Sequence, residues 1–365
     1  MPNPILLNIK SATSSNMGHA QAGIDLAVAR GFAGVRISAG MDANGDQSTV
    51  NTFHVSTIVA YGAAAGLTKM SFLLNGNPKR EGAYLKPFNG EAGWAVQSRP
   101  PAGTGNAIWN YIADGWIAFI TAARTAAISA GKTPSTFLEF EGFNEPGKGG
   151  NQAPTDNNDA YTAPYDTYNY GYIEPAFWTM AAYIGARAQT GTAGNFYGIP
   201  FIPITLEADE SPRVSSGTID AQVEVDSFAG ANCVSYMALG TKVGFNRYAN
   251  GPTTPYNAAM TKAAYSTKVQ QQVTRMGLNA ILTGKAYVIR EFGLDVLLSP
   301  SCTHCNTVRD DLLEQLKGEA NIAEAGFFCA FDVALVHDYL HSGEAKMFAY
   351  ERADSSPLGG IAVAP

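Results

Sequence analysis

Eight short apolar runs punctuate this chain, and helix-like segments separate them. The runs are PILLNIKS (4–11), GVRIS (34–38), LTKMSFLLNG (67–76), STFLEFEGFNEP (135–146), GIPFIPITLE (198–207), ANCVSYMALG (231–240), KAYVIREFG (285–293) and GFFCAFDVAL (326–335). Between them, residues 18–31, 50–65, 107–131, 174–189, 256–281 and 306–323 read as helices, and 216–229 as a weaker one. In 107–131, Trp109, Ile112, Trp116, Ile117 and Ile120 recur near the 3.6-residue helical period. Strands alternating with helices require parallel βαβ units, because a parallel partner is reached only by a crossover. Eight such units in one chain predict an α/β fold of the (β/α)8 TIM-barrel type, a single domain over residues 1–365. The competing fold is a doubly wound open sheet, which often carries a glycine-rich phosphate turn after its first strand. Here that place reads SATSSNMGHAQAG, with neither GxGxxG nor a P-loop, so the barrel is favoured.

Long polar segments follow particular strands: 76–106, 147–172, 208–216, 240–254 and 336–350. The segments before each strand are short. In a (β/α)8 barrel all of the long ones belong to the C-terminal face, where active sites form.

The bulk numbers narrow the partners. Charged residues are 15% and hydrophobic residues 46% of the chain, which excludes disorder and supplies a sizeable core. A net charge of −7 argues against nucleic acid or an anionic membrane as partner. No apolar run reaches the ~18 residues of a bilayer span. The N-terminal MPNPILLNIKS shows no secretory signal, so the expected setting is the cytosol, a processed mature form or another export route. Oligomeric state is left open. Of four cysteines, Cys233 and Cys329 fall in apolar runs and read as buried thiols. Cys302 and Cys305 form a lone CxxC around His304, open to a local disulfide, a metal or ordinary loop thiols. No cofactor is expected.

Carboxylates carry the chemistry. LEFEGFNEP places Glu139, Glu141 and Glu145 within one strand and its end, and VIREFG places Glu291 at the end of the seventh strand. Burying unpaired carboxylates is costly, so such positions need a reason. Glu145 and Glu291 lie far apart in sequence, yet their strands open onto the same face. Two carboxyls flanking one cleft are the minimal machinery for cleaving a glycosidic bond. One must be protonated and the other ionised, and their surroundings must hold the two pKa values apart.

FEGFNEP resembles the (F/W)ExxNEP element on the fourth strand of clan A glycoside hydrolases, and VIREFG the hydrophobic-x-E-(F/W)-G element on their seventh. GFAGVRIS resembles their second-strand segment, whose arginine is here Arg36. The resemblance covers the whole chain as architecture and these short elements as motif. It implies a retaining hydrolase with Glu145 as general acid/base and Glu291 as nucleophile. Asn144 would hydrogen-bond the sugar 2-hydroxyl, and Arg36 would hold the nucleophile ionised and oriented, unless it pairs with another acid of the mouth. The clan's sixth-strand tyrosine would be Tyr236, with Tyr248 as rival. Asn75 and Asn77 stand where some members carry histidine, and Phe331 and Asp332 where a platform tryptophan is common. Trp94, Tyr84 and the tyrosines Tyr161, Tyr165, Tyr168, Tyr170 and Tyr172 sit in long loops, where they either stack on sugar rings or pack the loops onto the barrel. Glu141 reads as support inside the mouth, paired with a basic neighbour, and Glu139 as a buried ion pair or an outward-facing residue.

The expected partner is a β-linked oligo- or polysaccharide. The alternative from another class is a non-catalytic glycan-binding barrel, which has no need to keep both Glu145 and Glu291. A metal-dependent hydrolase barrel is disfavoured, since five histidines include no HxH.

Overall fold

The computed structural model describes residues 2–9, 17–29, 31–38, 52–75, 107–144, 146, 173, 175–207, 225, 227–247, 262–292 and 315–328. Its strands are β1 (Ile5–Ile9), β2 (Gly34–Ser38), β3 (Met70–Asn75), β4 (Leu138–Asn144), β5 (Phe201–Glu207), β6 (Lys242–Asn246), β7 (Ala286–Phe292) and β8 (Glu324–Phe328). They pair in sequence order, all parallel, and β8 closes on β1. The main helices are α1 (Met17–Ala29), α2 (Thr52–Ala64), α3 (Ala107–Ser129), α4 (Pro175–Gly191), α5 (Gly230–Met237) and α6 (Lys262–Leu278). Among the described residues no helix is long and apolar enough to cross a membrane.

The apolar core lies between the barrel wall and the helices. Val35 and Ile37 on β2, Met70, Phe72 and Leu74 on β3, and Phe140 and Phe143 on β4 face it. From the helix side come Trp109, Ile112, Trp116, Ile120, Ala123 and Ala127 of α3, spaced three and four apart. Trp116 packs on Phe143 and Phe201 with ring centroids 5.2 and 6.0 Å away. This layer accounts for the outward half of each strand's alternation.

Two strands differ from expectation. Residues 231–240 are not the sixth strand. GANCVSYM forms α5, burying Cys233, Tyr236 and Met237 at helical spacing. The Lys285 ammonium ends it by donating to the carbonyls of Met237 (2.8 Å) and Gly240 (2.7 Å). The strand is the next segment, KVGFN, where buried Val243 and Phe245 alternate with Lys242, Gly244 and Asn246. β8 begins two residues early, at Glu324 rather than Gly326. Both errors share a cause: the inward positions of these strands are polar or glycine, so the strands lack a continuous apolar run. Cys233 is a buried free thiol, pushed up to about 12 by burial. Cys302, Cys305 and Cys329 lie outside the described residues.

Candidate active site

The barrel interior holds a ladder of charges where barrels of this type usually stack branched apolar side chains. At the N-terminal end of the strands, the Glu139 carboxylate meets Lys69 (3.2 Å), Lys242 and Arg290 (3.2 Å). Glu324 pairs with Lys69 and Arg290. One level higher, Glu141 accepts from Arg36 Nε and Nη2 (both 2.8 Å), from Arg290 Nε (3.0 Å) and from the Thr205 hydroxyl. At the top, the remaining arm of Arg36, Nη1, donates to Glu291 Oε1 at 3.0 Å. Among the described residues of this ladder, the four cations Arg36, Lys69, Lys242 and Arg290 thus face the four acids Glu139, Glu141, Glu291 and Glu324.

Burial and charge act in opposite directions on these groups. Burial alone would push the Glu141 carboxyl up. The guanidinium charges of Arg36 and Arg290, with hydrogen bonds from Arg36 and Thr205, outweigh it and hold Glu141 below the usual carboxylate range. Glu139 is likewise held low against its burial by Lys69, Arg290 and Lys242. Arg36 is held protonated by Glu141 and Glu291 despite complete burial.

Adjacent residues of a regular strand face opposite sides of the sheet. Arg290 and Glu291 nevertheless both point into the barrel. The reason is an irregularity in β7. Against β6, Phe245 lies opposite Ile289 and Asn246 opposite Glu291, so the register shifts and Arg290 is the extra residue. Against β8 the register shifts between Ile289 and Phe292. Asn246, the neighbour of Glu291 across the ladder, donates from Nδ2 to Asn144 Oδ1 at 3.3 Å. Asn144 and Glu291 each keep 8% of their surface exposed, unlike fully buried Glu139 and Glu141. The rim of the barrel therefore presents Asn144, Asn246 and Glu291, with Arg36 just beneath.

Of the residues singled out in the sequence, Arg36, Asn144 and Glu291 come together here. Arg36 pairs with both Glu141 and Glu291, so the two readings of it coincide. Glu141 is ion-paired as expected, and Glu139 takes the buried-ion-pair alternative. Tyr236 is not at the rim. It lies on α5, buried, its hydroxyl donating to the Pro203 carbonyl at 2.6 Å, because the segment carrying it is helix rather than strand. Glu145, Tyr248, Trp94 and Asp332 lie outside the described residues, as does the side chain of Asn75, whose backbone ends β3. Sequence reasoning missed Arg290, Asn246 and the lysines of the ladder. The alternation of KVGFN was the available signal for Asn246. Nothing in the sequence marks a bulge at Arg290.

The sequence matches no protein-family model and no curated protein. Solved structures are similar in fold. An exo-beta-1,4-mannosidase from Opitutaceae bacterium strain TAV5 superposes over 99% of this chain with a TM-score of 0.55 and 10% identity. The chain spans 58% of that enzyme's length. GH5_18 from Streptomyces cattleya, solved with GlcNAc, superposes over 99% of this chain and 79% of its own, with a TM-score of 0.57 and 12% identity. GH5_18 from Bifidobacterium longum subsp. longum, solved with Manb1-4GlcNAc, gives 99% and 77% coverage, a TM-score of 0.57 and 11% identity. The chain shares their barrel fold.

Proposed function

We propose that this chain is a retaining glycoside hydrolase acting on a β-linked oligo- or polysaccharide. Glu145 protonates the leaving glycosidic oxygen while the Glu291 carboxylate attacks the anomeric carbon. The resulting glycosyl ester is then hydrolysed by a water that Glu145, now a base, deprotonates. Asn144 binds the 2-hydroxyl of the reacting sugar, and Asn246 holds the Asn144 carbonyl oxygen in place from the adjacent strand.

One observation carries this reading. Glu291 stands at the rim of the barrel, held at 3.0 Å by an arginine whose other two nitrogens are locked on Glu141. A carboxylate so held has a fixed direction, as attack on a bound sugar demands. The fold shared with glycosidases, two of them solved with sugars bound, agrees with it. The test is reducing-end release from a panel of β-linked polysaccharides by the wild type, Glu145→Gln and Glu291→Gln. Each variant is expected to lose turnover while keeping its melting temperature within a few degrees. Undiminished cleavage by either one refutes the assignment, and an inverted anomer as first product refutes retention.

A further inference from the structure

Glu291 faces the mouth because β7 carries one extra residue, and the structure shows what holds that residue. The Arg290 side chain reaches down the barrel axis to Glu139, Glu141, Glu324 and Ser71. Its carbonyl is also inside. Asn8 on β1 donates to it from Nδ2 at 2.7 Å, fully within the barrel. Gly326 on β8 makes the room: a Cβ there would stand 2.5 Å from the Arg290 carbonyl oxygen and 3.2 Å from Asn8 Oδ1. A carbonyl taken out of the sheet ladder and buried needs a donor, and Asn8 is that donor.

We infer that Asn8, Gly326 and the Arg290 side chain form a clamp on the β7 bulge, and that Asn8 and Arg290 are positioning residues for Glu291. The inference rests on reading Glu291 as the nucleophile. Bulges re-aim the side chains that follow them. Without this one, period-2 alternation would turn Glu291 to the outer face whenever Arg290 points inward. Glu291 would then lose Arg36 and the mouth together. The Arg290 side chain anchors the bulge through the charge ladder, and the Asn8 side chain anchors it through the Arg290 backbone carbonyl, so either can be removed separately.

Two variants test the clamp. Asn8→Leu keeps the number and branching of the side-chain heavy atoms and removes the amide, whose Nδ2 is the donor and whose Oδ1 has no hydrogen-bond partner among the described residues. Arg290→Lys keeps the charge and loses the fork that spans Glu139, Glu141 and Glu324. Both are compared with Glu291→Gln on whichever polysaccharide the wild type cleaves, and the crystal structure of Asn8→Leu is determined. The expected result is a fall in kcat of about 100-fold, the cost of a ~1 Å misplacement of a reacting group, with KM little changed. The Arg36 Nη1–Glu291 Oε1 contact should lengthen beyond hydrogen-bond distance in the crystal. A folded Asn8→Leu with wild-type kcat and an intact contact overturns the clamp, whether or not Arg290→Lys folds. If Glu291→Gln is inactive in the same assay, that failure belongs to the clamp alone. If Glu291→Gln still cleaves, the nucleophile assignment falls and takes the clamp's catalytic role with it.

Discussion

Glu141→Gln removes one charge from the middle of the ladder and almost no volume. The wild-type carboxylate accepts from two guanidiniums and a hydroxyl with no surface exposed. Glutamine offers one acceptor oxygen where there were two, and turns an NH2 donor toward N–H groups. Arg36 and Arg290 lose their shared anion while remaining buried. Removing one partner of a buried ion pair costs about 3–5 kcal/mol. Unfolding entropy of about 2.1 cal/mol/K per residue, over 365 residues, gives about 0.77 kcal/mol/K, so the melting temperature should fall by about 4–7 °C at neutral pH. The pH dependence adds a second, independent signature. Glu141 and Glu139 are held below the ordinary carboxylate range in the folded state. Such groups stabilise the fold above the unfolded value, near 4.3, and the contribution is lost as pH falls toward the folded value. The wild-type melting temperature should therefore drop steeply below about pH 4.3, and that of Glu141→Gln less steeply, so that the two curves converge in acid. Calorimetric scans at one scan rate from neutral pH to about pH 2.5 measure both. A variant that melts within about 1 °C of wild type at neutral pH, or whose curve runs parallel to it into acid, would falsify the account of Glu141 as the shared counter-ion.

Two further substitutions separate the roles of particular residues. Arg36→Lys replaces a three-armed contact by one ammonium, which cannot hold both arms of Glu141 and also Glu291. Loss of a hydrogen bond to a charged group is worth about 1.5–3 kcal/mol, so kcat/KM should fall by about 10- to 150-fold in steady-state assays. An unchanged value would dissociate Arg36 from catalysis. Tyr236→Phe removes a buried hydroxyl on α5 whose hydrogen-bond partner among the described residues is the Pro203 carbonyl of β5. Chemical denaturation should register a loss of about 1–3 kcal/mol, while kcat and KM stay at wild type. A tenfold change in kcat would return Tyr236 to the active site.

How much was legible depends on which side of the barrel wall a residue faces. The outward halves of β2, β3 and β4 are Val, Ile, Phe, Met and Leu, and their apolar signal located those strands closely. β6 and the start of β8 were misplaced because Lys242, Gly244, Asn246 and Glu324 serve the interior, where this barrel is polar. GANCVSYM, richer in apolar residues, took the place of β6 in the reading although its burial is helical. Arg36, Asn144 and Glu291, which the structure brings together, stood out because they fall inside recognisable short motifs, Asn144 and Glu291 at or next to the ends of their strands. Arg290 was not, since a bulge leaves no mark on residue types.

Sequence alone therefore determined the number and order of the βα units, and which strand ends could carry catalytic groups. Those follow from hydrophobic period and from residue chemistry, both local properties. Only the tertiary structure decided what the acids do. Glu139, Glu141, Glu291 and Glu324 find their four cations on strands β2, β6 and β7 and just before β3, distances that no local pattern encodes. The same closure determined that two neighbouring residues, Arg290 and Glu291, share one face: the register of β7 is set by its partners on both sides and not by its own sequence.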